Sequence, residues 1–452
     1  MKKALHLLEI DQAVPLNEPV GPGHPFYTDF TGLRGDFEEK IIYRSLNVST
    51  LNNQFRYDIN TNAANKSLVF LGGMRGTGKT SELLGYEKKL NNPECFFTVF
   101  CRLDEDLNTN DMEYMDILIL QLEKLTRRLK DENIRVNQDT LRALKTWFSE
   151  QVAEINRNLQ GEAGLELGGG AQKGSLWNSL LGIFGELKAS VTASTQRTNS
   201  VRTVLKKNYI PFKDKFNEFV AEAGLALREA GKAKDVLFII DGLEKTNTPE
   251  IRRKIVVEES SRIRLINANM LFILPIELMK ERQTLRQLTE FVCTFPNIKI
   301  QSLDGKDNEP AINRLMELVF KRIDAALFED NEQHHLVKKM IRFSGGNPRE
   351  LLRILSYAAF HADEGKGLID EKAVNAGLQK LANETTQFLT ADDFSKLKEL
   401  KENNERGRET PYDERLDDLL EKVIIYEYNT GTFKRVNPVI ELSKIYREQV
   451  GT

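Results

Sequence analysis

Apolar residues recur along this chain in two rhythms. Short, nearly unbroken runs stand at Leu68–Leu71, Phe96–Cys101, Val236–Ile240 and Met270–Leu274, with a briefer one at Ile298–Ile300. Such runs predict strands buried on both faces, the habit of parallel sheets covered by helices. Between them the apolar positions spread to helical spacing. Met112, Met115, Ile119, Leu122 and Leu125 mark a helix over Asn110–Lys130. Phe212, Phe216, Phe219, Ala223 and Leu227 mark another over Pro211–Gly231, with proline at its start and glycine at its end. Leu141–Leu159 reads as helical too. A further short helix is expected near Asp36–Leu46, in a leader punctuated by Pro15, Pro19, Pro22 and Pro25. Strands alternating with helices predict the α/β class: a doubly wound parallel five-stranded sheet.

The second half loses the strand rhythm. Ile312, Leu315, Met316, Val319, Ile323 and Leu327 run along Pro310–Phe328, and helices follow at Glu332–Phe343, Pro348–Ala362 and Asp370–Leu381. That is the pattern of a separate helical unit. Beyond Thr390, helical segments at Asp392–Asn403 and Tyr412–Lys422 lead into extended runs at Val423–Tyr428 and Thr432–Val436, joined through Asn429-Thr430-Gly431. Helices followed by such a hairpin suggest a winged helix. The expected divisions are a leader (1–66), a sheet domain (67–305) with an insertion at about 103–209, a helical lid (306–388) and a winged-helix-like domain (389–452). Within the insertion, glycine-rich 161–174 and Ser/Thr-rich 190–200 bracket an amphipathic stripe of Trp177, Leu180, Leu181, Phe184 and Leu187. The stripe reads either as a helix packing on its own core or as a docking face for another subunit.

Composition narrows the class without naming a function. The chain has 452 residues, 40% hydrophobic and 29% charged, with a net charge of −3. It lacks the basic excess of an obvious nucleic-acid binder, though a local patch stays open. No apolar run reaches the ~18 residues needed to span a bilayer, so no membrane partner is expected. Cys95, Cys101 and Cys293 make no disulfide framework. A reducing, cytoplasmic location is the expectation.

The chemistry is concentrated where the first strand ends. SLVFLGGMRGTGKTS, Ser67–Ser81, is strand, glycine-rich turn and helix start, and Gly73, Gly78, Lys79 and Thr80 have the G-x-x-x-x-G-K-[ST] spacing of a Walker A phosphate loop. Glycines let backbone N–H groups close around a phosphate, and the helix adds its positive end. Gly73, Met74, Arg75, Gly76, Thr77, Gly78, Lys79, Thr80 and Ser81 are therefore the expected nucleotide contacts, with Lys79 on the β- and γ-phosphates and Thr80 on Mg²⁺. Asp235–Lys245, DVLFIIDGLEK, delivers Asp241 at the C-terminal end of a second buried strand. Ligands of open α/β sheets bind at that end, which makes Asp241 a Walker B carboxylate for Mg²⁺. Glu244 reads equally as the base that polarises water and as a solvated carboxylate at a helix start. In SGGNPRE, Ser344–Glu350, glycines stop one helix and Pro348 starts the next, with Arg349 in its first turn. A cation there opposes the helix dipole, so Arg349 is either positioned for a ligand or an ordinary surface arginine.

Taken in order, GGMRGTGKT, FIIDGLE, SGGNPRE and the terminal hairpin resemble the AAA+ and STAND ATPases, in the branch allied to origin-recognition ATPases. The resemblance covers about Ser67 to the end. It implies ATP and Mg²⁺ as ligands, a lid whose Arg349 is the sensor 2 arginine, and a winged helix that binds a partner or DNA. It also implies nucleotide at subunit borders of a homo-oligomer and a separate effector protein. Relatives encoded in bacterial anti-phage defence loci raise that role. Three departures stand out: Gly242 follows Asp241 where many relatives have Glu, so the resemblance implies slow hydrolysis; Leu274 and Pro275 stand where a polar sensor 1 is usual; and Thr80 is far from Asp241 in sequence. No arginine finger is assigned; Arg262, Arg264 and Arg282 are the candidates. Two classes of function follow, an ATP-driven switch or motor and an origin-type DNA-binding ATPase.

Overall fold

The computed structural model describes residues 2–52, 54–58, 66–163, 175–193, 195–302, 305–330, 334–429 and 433–451. The leader, expected to be irregular with one helix, has that helix at Lys40–Ser45 and also an antiparallel pair, β1 (Val48–Leu51) and β2 (Gln54–Tyr57). At the centre, among the described residues, lies a five-stranded parallel sheet: β3 (Leu68–Gly73), β4 (Phe96–Arg102), β5 (Asp235–Asp241), β6 (Asn269–Pro275) and β7 (Val292–Phe295). The strands lie side by side in the order β4-β5-β6-β3-β7. Because side chains alternate across a strand, Val69, Leu71, Leu237, Ile239, Leu271 and Ile273 share one face with Leu83 and Tyr86 of helix Lys79–Leu90 and with leader residues Ile42 and Leu46. Phe70, Val236, Phe238, Ile240, Phe272 and Leu274 share the other. There Phe216 of helix Tyr209–Glu229 packs 6.1 Å from Phe238. Both faces are covered, as the unbroken apolar runs require.

One strand falls elsewhere than expected. The fifth is Val292–Phe295, paired with β3 from Phe70↔Val292 to Gly73↔Phe295, and not Ile298–Ile300. Both runs are short and apolar, so periodicity cannot choose between them. Pro296 follows β7 and has no N–H to continue a ladder. The later run turns its hydrogen bonds away from the sheet: the Lys299 N–H donates to Leu33 O at 3.1 Å and the Ile300 carbonyl accepts from Asn308 N at 2.8 Å.

Between β4 and β5, helix Tyr114–Asp131 packs on β4 and carries Leu176–Ala193, flanked by Gln138–Ala163 and Thr195–Lys207. Leu180, Phe184 and Leu187 are buried there, and the Phe184 ring meets Phe148 edge-on at 5.0 Å. Trp177 and Leu181 are half-buried. Core packing, and not an open docking face, is what this stripe does within the chain. Residues 164–174 of the glycine-rich stretch lie outside the described residues.

Helices Glu309–Phe320, His335–Phe343, Pro348–Phe360 and Glu371–Thr386 form the helical unit after the sheet. The C-terminal part has helices Ala391–Glu405 and Glu414–Glu421, the antiparallel pair β8 (Ile425–Tyr428) and β9 (Phe433–Val436), and a last helix, Lys444–Val450. Thr430 and Gly431 of the expected turn are outside the described residues. β8 is buried along its whole length. Its Glu427 N–H points at Met74 Sδ, 3.1 Å away, and the Tyr428 hydroxyl donates to Gly345 O at 2.6 Å. The hairpin is thus seated on the glycine-rich loop. No helix among the described residues is long and apolar enough to cross a membrane.

Candidate functional site

The loop after β3 turns through left-handed Gly76 and Gly78 into helix Lys79–Leu90. Lys79 is buried, and its Nζ donates to Gly73 O at 2.8 Å and Met74 O at 2.7 Å. Burial holds its ammonium below the usual lysine range, against the opposing pull of Glu244 and Asp241. Thr77 Oγ1 ties back to Met74 O at 3.1 Å. The loop is closed on itself and presents Lys79 from within.

Asp241, at the tip of β5, reaches the start of the loop's helix. Thr80 Oγ1 donates to its Oδ2 at 2.7 Å, while its Oδ1 is buried with no hydrogen-bond partner. Burial and the neighbouring Glu244 charge push the Asp241 carboxyl up to about 6, against the Thr80 hydroxyl, Lys79 and Arg102. Glu244 sits on the turn Leu243–Lys245 and lines the same cleft; its Oε2 is also buried without a partner. Asp241 Oδ1 is therefore withheld from water beside the Thr80 hydroxyl, the donor chemistry that suits a hard divalent cation. The residues fit Mg²⁺.

The cleft has a volume of about 450 Å³. Arg75, Gly76, Gly78, Lys79, Thr80 and Ser81 line it from below, Pro348, Arg349 and Leu352 from the helical unit, and residues 15–20 with Phe26 and Phe30 from the leader. Arg349 lines the cleft, and burial holds its guanidinium below the usual arginine range. Its own N–H donates to Gly76 O at 3.3 Å. The preceding Asn347 is fully buried: Oδ1 caps the helix at Arg349 N (3.1 Å) and Glu350 N (3.3 Å), and Nδ2 donates to Arg75 O at 3.0 Å. The SGGNPRE turn thus holds the loop's backbone directly. Gly73, Met74 and Thr77 do not line the cleft; Met74 turns its side chain toward β8.

Two arginines escaped the sequence reading. Arg34 of the leader is buried, donates to Thr77 O at 2.9 Å and Pro296 O at 3.0 Å, and pairs with Glu82 at 3.3 Å. Arg322 is buried at the cleft's far wall, donating to Phe26 O at 3.1 Å and Leu318 O at 2.9 Å; burial pushes it down to about 10. Neither lies in a motif, and isolated arginines carry no local signal of burial. Of the finger candidates, Arg262 pairs with Glu259 and Arg282 donates to Val292 O at 2.8 Å; neither they nor Arg264 line the cleft. The first polar residue beyond β6 is Glu277, which turns to Arg252 instead of the cleft.

No protein-family model and no curated protein matches the chain. Among solved structures, it is similar to Cdc6p from Pyrobaculum aerophilum, with 13% identity over 94% of this chain and 98% of that one and a TM-score of 0.34. It is also similar to a Walker-type ATPase of Pyrococcus abyssi, with 12% identity over 92% and 98% and a TM-score of 0.35. Superpositions that loose carry no functional argument. The sheet order and the strand–loop–helix at Leu68–Leu90 carry the fold and no more: the chain has the α/β fold of the P-loop nucleoside triphosphatases.

Proposed function

We propose that this chain is an AAA+/STAND-like protein that binds ATP with Mg²⁺ in the cleft over residues 73–81 and hydrolyses it slowly, using the nucleotide to switch conformation and recruit a partner. The observation that carries the reading is the Thr80–Asp241 contact of 2.7 Å with Asp241 Oδ1 left partnerless beside it. Thr80 and Asp241 would hold the metal, which when bound neutralises phosphate charge. Backbone N–H groups of the cleft-lining loop residues Arg75, Gly76, Gly78, Lys79, Thr80 and Ser81, with the helix end, cradle the phosphates. Lys79 exchanges its two carbonyl partners for phosphate oxygens. Glu244 orients the attacking water, and Arg349 reads the γ-phosphate from the lid, so that binding pulls lid and sheet domain together. Self-association and a separate effector belong to the same reading, with phage defence as its narrowest form. The seating of β8 on Met74 and Gly345 supports a switch over a DNA reader, since that strand is already occupied within the chain.

Calorimetry with ATP and Mg²⁺ tests the reading, together with steady-state turnover with and without DNA. Lys79→Ala should weaken ATP binding at least ~tenfold, a loss of ~1.4 kcal/mol or more. Asp241→Asn should abolish turnover, and Glu244→Gln should keep affinity while lowering turnover. Unchanged affinity in Lys79→Ala would remove the assignment. Turnover that appears only with DNA would favour the origin-type alternative.

A further inference from the structure

The turn that carries Glu244 is held by a buried charge cluster, and one member of that cluster comes from the C-terminal domain. Arg252 is 1% exposed. Its Nη1 donates to Thr246 O at 3.2 Å and, more distantly, to Glu244 O at 3.4 Å. On its other side Nη2 bonds Glu421 Oε1 at 2.5 Å. Its Nε stands 2.5 Å from Glu277 Oε1, an ion-pair contact not aligned as a hydrogen bond. Arg75, from the glycine-rich loop, enters the same cluster: its Nη2 donates to Glu244 O at 2.6 Å and lies 3.7 Å from the same Glu421 oxygen. Two guanidinium groups therefore converge on the backbone carbonyl of Glu244. A single carboxylate on helix Glu414–Glu421 spans both. The same helix is tied to the segment after β6 by Lys280–Asp417 at 3.2 Å.

Such a cluster is a poor device for stability alone. Desolvating each ion is costly, and well-packed apolar residues often serve as well. What a planar guanidinium supplies and an apolar side chain cannot is several fixed donors in one plane. Here Nη1 is spent on the carbonyls of the Glu244 turn, while Nη2 is held by Glu421. We infer that Arg252 and Glu421 are positioning residues for Glu244, so that seating of the C-terminal domain sets the rate of ATP hydrolysis without setting nucleotide affinity. The inference rests on the ATPase reading above. It makes the C-terminal domain a governor of turnover: a partner that pulled helix Glu414–Glu421 away would release Arg75 and Arg252 together and let the turn drift.

The test uses the full-length chain and Glu421→Gln, which keeps shape and loses charge at a side chain 23% exposed. Affinity for fluorescent ATP with Mg²⁺ should stay within ~threefold of wild type, well under one decade or ~1.4 kcal/mol. Turnover should fall ~10- to 100-fold, the scale of an ångström misplacement of a reacting group. The effect should vanish in a Glu244→Gln background, because residues acting as a unit are not additive. Arg252→Lys, which keeps the charge and a donating nitrogen but not the planar fork, should retain more turnover than Arg252→Met. Should either Arg252 variant fail to fold, Glu421→Gln alone decides. Unchanged turnover in Glu421→Gln, a parallel loss of affinity, or an equal loss in the Glu244→Gln background overturns the inference while leaving the ATPase reading intact. A wild type that binds no ATP overturns both.

Discussion

Replacing Gly76 by Ala probes how the helical unit grips the glycine-rich loop. Gly76 has φ +81°, and an added Cβ would lie 2.6 Å from Asn347 Oδ1 and 2.9 Å from Arg349 Cβ. The left-handed backbone alone costs a residue with a Cβ ~1–2 kcal/mol. Asn347 cannot step aside cheaply, because its side chain caps helix Pro348–Phe360 and donates to Arg75 O. Loss of the cap costs ~1 kcal/mol and loss of the Arg75 bond about as much. The total is ~3–4 kcal/mol, of which roughly half opposes contact with the helical unit. If the strain is relieved by detaching that contact, the local opening free energy falls by that half, ~2 kcal/mol. By deuterium exchange of the apo protein, amides at 349–352 should then exchange up to ~30-fold faster, about one and a half decades at ~1.4 kcal/mol each. Gly78→Ala is the control. Its φ is +90° and its nearest new neighbour is Arg34 Nη2 at 3.6 Å, so it carries the strain without the clash. Its amides at 349–352 should exchange as in wild type. Equal exchange in the two variants would show that the SGGNPRE turn does not hold the loop, and would refute the reasoning.

Three further outcomes follow from the packing. Phe184→Ala should destabilise by ~3–5 kcal/mol, read as a lowered melting transition with assembly of the folded fraction unaltered; a normal melt with lost assembly would restore the docking-face reading of the stripe. Arg202→Ala should cost ~3–5 kcal/mol because it strands buried Asp116, which Arg202 contacts at 2.5 Å, and Arg202→Met with Asp116→Leu should recover most of it in thermal melts. Burial raises the Asp393 carboxyl, but the Thr390 N–H and hydroxyl and Arg415 outweigh it and hold it below the usual 3.8. A depressed carboxyl stabilises above 3.8 and loses that contribution as pH falls through its folded value. The stability gap between wild type and Asp393→Asn, followed by circular dichroism, should therefore be present at neutral pH and close on acidification below that value; a gap independent of pH would refute the assignment.

Much of the fold was legible locally. Buried parallel strands announce themselves as unbroken apolar runs, and four of the five stand where those runs do. The glycine spacing of 73–80 and the apolar run ending in Asp241 need only neighbouring residues to be read, because backbone conformation and strand direction are set over a handful of positions. The helices after the sheet were visible through their spacing and through Gly345, Gly346 and Pro348. The fifth strand was not, since Val292–Phe295 and Ile298–Ile300 are equally apolar, and only the ladder with β3 separates them. Nor was the choice for Phe184 between core and docking face, which depends on Phe148 being there to meet it. The charges were least legible of all. Arg34 holds a carbonyl 43 residues away, and Arg252 meets Glu421 across 169 residues. An isolated arginine looks the same in sequence whether it is solvated or buried, because its state depends on which distant carboxylates and carbonyls the topology brings within 3 Å. Local periodicity specified four of the five strands of the central sheet, most of the helices and the glycine-rich loop; the tertiary structure alone decided what grips that loop.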